Sequence, residues 1–232
     1  ANTPSWQFEP NIAGMGLGNS LAGGRDINGD GFDDIAVGSP VHEANKGYVA
    51  VFLGSDTGLA NTSAWSVTGE TAEDQLGYAL AMADASGDEK AELYIGAPGK
   101  NALYELNGTD DLSESTAQQV TTGPNFFGSA ISRIGDMNQD RFEDIAVASV
   151  RQDISSAGQV RFFYGSPEGI YPSYVARQDG LGPDDLFGRS IAGLGDTNGD
   201  GYDDLLIGAP DFGFGQVSTG FAYVYLGVET GL

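Results

Sequence analysis

Along this 232-residue chain the apolar positions fall into short runs and alternations, and no helical period is sustained. Compact apolar runs stand at Ile35-Ala36-Val37, Leu93-Tyr94-Ile95, Ile145-Ala146-Val147 and Leu205-Leu206-Ile207. Short runs of this kind, bounded by turn residues, predict strands covered on both faces. Alternating segments follow them at Gly47 to Gly54, Val160 to Tyr164 and Phe221 to Leu226, and predict further strands. Weaker strands are predicted at Ala64 to Thr68, Gln119 to Thr122 and Tyr174 to Arg177. Segments such as Ser190 to Leu194 lead into the apolar runs through an acidic loop.

That pattern is a repeat. Asp26-Ile-Asn28-Gly-Asp30-Gly-Phe32-Asp33-Asp34 returns as Asp196-Thr-Asn198-Gly-Asp200-Gly-Tyr202-Asp203-Asp204. A third copy reads Asp136-Met-Asn138-Gln-Asp140-Arg-Phe142-Glu143-Asp144, and a worn one Asp84-Ala-Ser86-Gly-Asp88-Glu-Lys90-Ala-Glu92. Leu17-Gly18, Leu76-Gly77, Phe127-Gly128 and Phe187-Gly188 precede the loops. Gly38-Ser39-Pro40, Gly96-Ala97-Pro98, Ala148-Ser149 and Gly208-Ala209-Pro210 follow them in phase. Four short strands per unit of roughly 40–60 residues is the signature of a β-propeller blade. The fourth unit lacks its last strand, and Ser5-Trp6-Gln7-Phe8 supplies a matching one at the other terminus. Thr230-Gly-Leu232 joined to Ala1-Asn-Thr-Pro-Ser-Trp6 repeats the internal junction Thr57 to Trp65. The N-terminal strand is therefore expected to complete the last blade beside Phe221 to Leu226 and to cover its edge.

Composition narrows the function. Lys and Arg total 10 against 33 Asp and Glu, a formal charge of -23. Such a chain is unsuited to nucleic acid, which needs a basic face, and to anionic lipid. No apolar run is long enough to span a membrane as a helix, so membrane insertion is not expected. The absence of cysteine removes disulfides, thiolate metal sites and cysteine catalysis together. An acidic surface instead attracts cations.

The Phe-Gly and Gly-Ala-Pro signatures, best preserved at Phe187-Gly188 and Gly208-Ala209-Pro210, resemble the FG-GAP repeats of integrin α subunits and of bacterial extracellular proteins. The resemblance covers almost the whole chain and implies an all-β propeller of four FG-GAP blades, each of four antiparallel strands. Integrin propellers have seven blades, so four units form either a four-bladed ring or part of a larger one. The whole chain, 1–232, is read as one domain, with units at roughly 9–68, 69–122, 123–177 and 178–232 plus 1–8.

The acidic loops point to a hard cation. Oxygen donors at alternate positions around a tight glycine turn suit calcium. Loop one offers Asp26, Asn28, Asp30, the Phe32 carbonyl and Asp34. Loop three offers Asp136, Asn138, Asp140, the Phe142 carbonyl and Asp144, and loop four Asp196, Asn198, Asp200, the Tyr202 carbonyl and Asp204. The family's calcium ligands fall on the same positions. Three Ca2+ sites are expected. Loop two, with Asp84, Ser86, Asp88, the Lys90 carbonyl and Glu92, is a weaker fourth, because Glu89 replaces a glycine. An EF-hand does not fit, since its twelfth position needs a bidentate Glu and here holds Val37, Val147 or Ile207. A metal-free Asx-rich turn is the plainer alternative.

Other features carry less. Trp6 and Trp65 suit outer-strand packing better than sugar stacking. Tyr48, Tyr164, Tyr223 and Tyr225 suit core filling, and His42 reads as a loop residue. No nucleophile–base pair stands out, so no enzyme is expected. The reading is a calcium-binding extracellular, cell-surface or periplasmic module that recognises protein or glycan, with self-association completing a larger propeller as one option. A structural spacer or a propeller hydrolase is the alternative.

Overall fold

The computed structural model describes residues 4–150, 157–182, 184–210, 213–214 and 217–229. It is a four-bladed β-propeller fold. Blade 1 comprises β1 (Ser20–Arg25), β2 (Asp34–Ser39), β3 (Tyr48–Phe52) and β4 (Trp65–Thr68). Blade 2 comprises β5 (Leu80–Ala83), β6 (Glu92–Ala97), β7 (Ala102–Leu106) and β8 (Gln118–Thr122). Blade 3 comprises β9 (Phe127–Gly135), β10 (Asp144–Ser149), β11 (Gln159–Phe163) and β12 (Ala176–Asp179). Blade 4 contains β13 (Ser190–Gly195) and β14 (Asp204–Ala209), then a small hairpin of β15 (Gly213–Phe214) and β16 (Val217–Ser218), then β17 (Phe221–Tyr225). Neighbours within the sheets of blades 1 to 3 are consecutive and antiparallel, so each is a meander, and in blade 4 the β15–β16 hairpin stands between the paired strands β14 and β17.

The short apolar runs become the second strands, buried on both faces in blades 2 and 3 and partly exposed at Ile35 and Leu206 in blades 1 and 4. Ile145 to Ala148 and Leu93 to Ile95 are without exposure. Alternation along the third strands divides the two faces. Val49 and Val51 join the core shared with blade 2, while Ala50 and Phe52 face the opposite way. Blades 2 and 3 share Tyr94, Leu103, Phe127, Ile145 and Phe163. Blades 3 and 4 share Ala146, Phe162, Phe187, Leu205 and Ile207. The inner strands pack in succession, β1 on β5, β5 on β9 and β9 on β13.

The glycine motifs have one cause. Gly18, Gly77, Gly128 and Gly188 all hold positive φ, between 79° and 91°. Within the blade, the N–H of Gly77 donates to Gly96 O at 2.9 Å, and that of Gly188 to Gly208 O at 3.0 Å. Across the blades, a Cβ on Gly77 would stand 2.7 Å from Val49 Cγ2, and one on Gly188 2.6 Å from Val160 Cγ2. A side chain at Gly77, Gly128 and Gly188 is excluded both by backbone conformation and by the neighbouring blade, and at Gly18 it is disfavoured by backbone conformation alone.

Two expectations are corrected. Among the described residues the main sheet of blade 4 is β13-β14-β17, and Ser5 to Phe8 form no strand beside β17. That segment lies on blade 1 instead, where Trp6 and Phe8 pack on Phe52 with ring centroids 5.2 and 4.7 Å apart. The apolar face of Phe52, Ala50 and Val37 is at hand, whereas β17 is at the opposite end of the blade succession. The second correction is small: the outer strand of blade 3 begins at Ala176 rather than Tyr174, whose ring packs under the Arg161 guanidinium. The proposed junction residues Ala1 to Thr3 and Thr230 to Leu232 lie outside the described residues.

Candidate metal loops

Each acidic loop joins the first strand of a blade to the second, so all four gather at one end of the propeller and touch in sequence. The Ala91 N–H donates to Asp26 O at 2.8 Å, that of Glu143 to Asp84 O at 3.1 Å, and that of Asp203 to Asp136 O at 3.4 Å.

Inside each loop the first acid is a hub for backbone N–H groups. Asp196 accepts from Asp200 and Gly201 at 3.1 and 2.8 Å, and Asp136 from Asp140 and Arg141 at 3.0 and 2.8 Å. Asp26 accepts from Gly29 at 2.7 Å and Gly31 at 2.6 Å. Asp84 keeps the pattern toward Asp88 and Glu89, both at 3.1 Å. The fifth position turns back on the seventh: Asp30, Asp140, Asp200 and Asp88 accept from Phe32, Phe142, Tyr202 and Lys90 at 2.9–3.0 Å. Asn28, Asn138 and Asn198 donate to Asp30, Asp140 and Asp200 at 2.8–2.9 Å.

This shape requires left-handed backbone at the fourth and sixth positions. Gly29, Gly31, Gly199 and Gly201 adopt it without a side chain to clash. Gln139 and Arg141 hold φ of 59° and 80°, and Glu89 holds 70°. Such residues cost about 1–2 kcal/mol each in that region. Loops two and three therefore retain the conformation after losing glycine.

The ninth position faces inward. Asp34 accepts from Ile27 and Gly54 N–H at 2.8 and 2.7 Å, and Asp144 from Met137 and Gly165 at 2.9 and 3.0 Å. Asp204 accepts from Thr197 and Gly227 N–H at 2.8 and 3.0 Å, and from the Thr197 hydroxyl. Glu92 reaches the Ala85 and Ser86 N–H groups at 2.8 and 3.2 Å. Asp34, Asp144 and Asp204 are fully buried and tie the loop start, and the end of the third strand, to the second strand. Burial pushes Asp144 and Glu92 up to about 7 and also raises Asp34. For Asp204 burial acts the same way, but hydrogen bonds from Thr197 and Gly227 outweigh it and hold the acid below its ordinary value. Asp204 alone of these three acids also accepts from a hydroxyl, that of Thr197, where loops one and three have Ile27 and Met137.

Two groups of residues were not evident from sequence. Ile27, Ala85 and Met137, at the second position, are fully buried anchors. The eighth position links neighbouring loops: Glu143 accepts from the Asp84 N–H, and Asp203 from that of Asp136, both at 2.9 Å. Glu143 also holds Arg25 of blade 1 and, at 3.0 Å, Arg133. Three blades thus meet at one carboxylate. Lys90 leans over Gly29 and pairs with Asp110 at 2.8 Å. His42 packs its ring on Tyr48, and the Trp65 indole donates to Ser115 O from a buried site.

The donor set fits a hard cation. Asp26 Oδ1 and Asn28 Oδ1 both lie within hydrogen-bond reach of the Asp30 N–H, at 3.3 and 3.4 Å. Carboxylate and amide oxygens therefore converge. Both oxygens of Asp34 and Asp144, and Oδ1 of Asp204, keep a second lone pair after their backbone bonds, whereas Asp204 Oδ2 accepts from both the N–H and the hydroxyl of Thr197. Among the described residues no three His, Cys, Asp or Glu side chains gather as a metal cluster. Each of loops one, three and four has three carboxylates among its candidate ligands, and the ninth-position one is turned inward to backbone N–H groups.

Comparison with known proteins agrees with the repeat. A model described as FG-GAP repeat matches residues 17–52 and 187–225, in blades 1 and 4. Integrin alpha-V of Gallus gallus is 32% identical over 214 residues, covering 83% of this chain and 20% of the relative. Integrin alpha-5 of Xenopus laevis is 33% identical over 214 residues with the same coverage. Integrin alpha-IIb of Mus musculus is 34% identical over 159 residues, covering 61% of this chain and 15% of the relative. The chain spans at most a fifth of the length of these relatives.

Proposed function

This chain belongs to the FG-GAP repeat family, and from that premise we propose that it is a calcium-stabilised extracellular recognition module for adhesion to protein or glycan. The observation that carries the calcium reading is the convergence of oxygens in the loops, above all Asp26 Oδ1 and Asn28 Oδ1 at the Asp30 N–H. Asp26, Asn28, Asp30, Asp34 and the Phe32 carbonyl would hold one ion. Their counterparts in loops three and four would hold two more. Loop two has the same hub with Ser86 in place of Asn, and is the weakest candidate. The ion supplies charge neutralisation among acids that otherwise repel. It has no reaction to catalyse, and the similarity to integrin α subunits supports binding rather than enzymatic work.

Recognition is supported by that similarity together with the architecture. Rigid blades present loops whose sequence is free to vary, which is how repeat scaffolds bind partners. No helix among the described residues is long and apolar enough to cross a membrane.

Calorimetric titration and melting with calcium and with chelator test the metal reading. Each occupied site adds about 2.7 kcal/mol at free calcium a hundredfold above its dissociation constant. Three ions and a raised melting temperature are expected, and superimposed melting curves would refute the reading. A matrix-protein and glycan array, read in calcium and in chelator, tests recognition.

A further inference from the structure

Two of the Phe-Gly pairs drive a ring between neighbouring blades. Phe127 and Phe187 are both buried. The Phe187 ring meets Tyr223 edge to face, with centroids 5.7 Å apart, and the Phe127 ring lies 5.7 Å from the Arg161 guanidinium. Tyr223 and Arg161 hold the same place on their third strands, opposite Ile207 and Val147. The residue at that place in blade 2 is Tyr104, opposite Ile95. There the preceding pair is Leu76-Gly77, which brings no ring to meet it.

The backbone around Leu76 is nevertheless that of the phenylalanines. The Leu76 N–H donates to Lys46 O and the Phe187 N–H to Ala157 O, both at 3.0 Å. Gly69 and Gly180 donate to Gly47 O and Gly158 O, both at 2.9 Å. A Cβ on Gly69 would stand 3.4 Å from Leu76 Cβ, and one on Gly180 3.1 Å from Phe187 Cβ. A cavity of about 120 Å³ lies between Leu76 and Tyr104, floored by Val67, Ala97 and Ala117. It sits where the second strand of blade 2 ends, away from the acidic loops. Glu70, Asp74 and Lys100 complete its wall. Lys100 Nζ stands 3.9 Å from Glu70 Oε2, and half-buried Asp74 accepts from the Thr71 N–H at 3.1 Å. Two carboxylates therefore face one ammonium.

We propose that this cavity between blades 1 and 2 binds a small arylalkylamine, its ring against Tyr104 and its ammonium beside Asp74 and Glu70. The ring takes the place that Phe187 takes against Tyr223 two blades on. An apolar cavity of about 150 Å³ suffices to bind benzene, so this one holds a single ring and no peptide chain. Edge-to-face contact with Tyr104 adds to the burial of the ring. The excess of carboxylate at the wall selects a cation over an anion. None of these residues belongs to an acidic loop, so the site stands apart from the calcium reading.

Methyl NMR of the 232-residue chain at neutral pH, titrated with benzylamine and separately with benzoate, tests this. Saturable shifts at the Leu76, Val67, Ala97 and Ala117 methyls are expected, with a benzylamine dissociation constant of about 1 mM. Benzoate should bind at least about fivefold more weakly, since its charge meets the two acids. Asp74→Asn should weaken benzylamine by about two- to fivefold and leave benzyl alcohol unchanged. Leu76→Phe restores the ring of blades 3 and 4, so it should abolish the benzylamine shifts and raise the melting temperature. Absence of saturable shifts in the unaltered chain overturns the proposal, as does benzoate binding as tightly as benzylamine. So does a Leu76→Phe protein that still binds benzylamine, or one that melts lower, because the space would then not be shaped for a ring.

Discussion

Replacing Asp204 by Ala separates the two roles an acidic loop can give its last carboxylate. Asp204 is fully buried and accepts two backbone N–H groups, from Thr197 and Gly227, as well as the Thr197 hydroxyl. Hydrogen bonds to a charged acceptor contribute about 1.5–3 kcal/mol each. Losing the two backbone bonds alone should cost about 3–6 kcal/mol, with no metal involved. The hydrogen bonds hold its pKa below the ordinary value, so ionisation brings no offsetting penalty at neutral pH. Asp144→Ala makes the contrast. It removes the equivalent pair of bonds, to Met137 and Gly165, but also an acid whose pKa is raised from 3.8 to about 7. At about 1.4 kcal/mol per unit, carrying that acid ionised opposes folding by roughly 4 kcal/mol above pH 7.

The sign follows from proton binding. Between pH 4 and 7, in round terms, native Asp144 holds a proton that the unfolded chain has released, so metal-free stability falls as pH rises. Asp144→Ala should therefore cost little near pH 7.5 and about 2–3 kcal/mol more near pH 5. Asp204→Ala should cost its full amount at both. Urea unfolding in chelator at the two pH values measures the difference, and amide exchange at Thr197 and Gly227 localises it to blade 4. If Asp204→Ala matched the unaltered protein in chelator and differed only in calcium, the carboxylate would be a metal ligand alone and the hydrogen-bond argument would fail.

Two other substitutions probe the glycine positions. Gly77→Ala places a methyl 2.7 Å from Val49 Cγ2 at φ 79°, and should cost about 2–4 kcal/mol; Gly18→Ala, at φ 90° in open space, should cost only about 1–2, as a melting comparison would reveal. Arg141→Gly relieves a residue held at φ 80°, and should raise stability by about 0.5–1 kcal/mol in a urea titration; a loss would mean the loop carries no strain there.

The blades were legible because their signals are local and repeated. Three-residue apolar runs and glycine pairs in phase placed all four second strands, and alternation placed the third strands of blades 1, 3 and 4 to within a residue or two, whereas the third strand of blade 2, Ala102–Leu106, was not anticipated. The destination of Ser5 to Phe8 was not legible. Its similarity to Ala64 to Thr68 identified it as an outer strand, but not which sheet it would lie against. Local sequence specifies a strand's pairing edge and its covered face alike, and here the Phe52 face won over the β17 edge. The loops were read for side-chain oxygens, and the positions proved to have unequal duties. The ninth is turned inward to backbone N–H groups, while the eighth, absent from the ligand pattern, ties one blade to the next. Alternating acids in a sequence say that oxygens converge; they do not say which oxygens the main chain has already engaged.

Loop two shows why the structural duty comes first. It lacks the sixth-position glycine, replaces Asn with Ser86 and ends in Glu92, changes that weaken a cation site. Yet Asp84 still gathers the Asp88 and Glu89 N–H groups, and the longer Glu92 still reaches Ala85 and Ser86. The hub therefore persists under strain where the ligand set has decayed. A loop that holds its shape through main-chain hydrogen bonds arrives at the cation with its oxygens already assembled, and little ordering entropy remains to oppose binding. The same rigidity lets the eighth-position carboxylate find its partner N–H on the next blade. On the calcium reading, blade order and cation affinity rest on one hydrogen-bonded frame. A substitution that loosens the frame, such as Asp204→Ala, should weaken both together, whereas one that removes only an outward oxygen, such as Asp200→Asn, should weaken the cation and leave the blades in place.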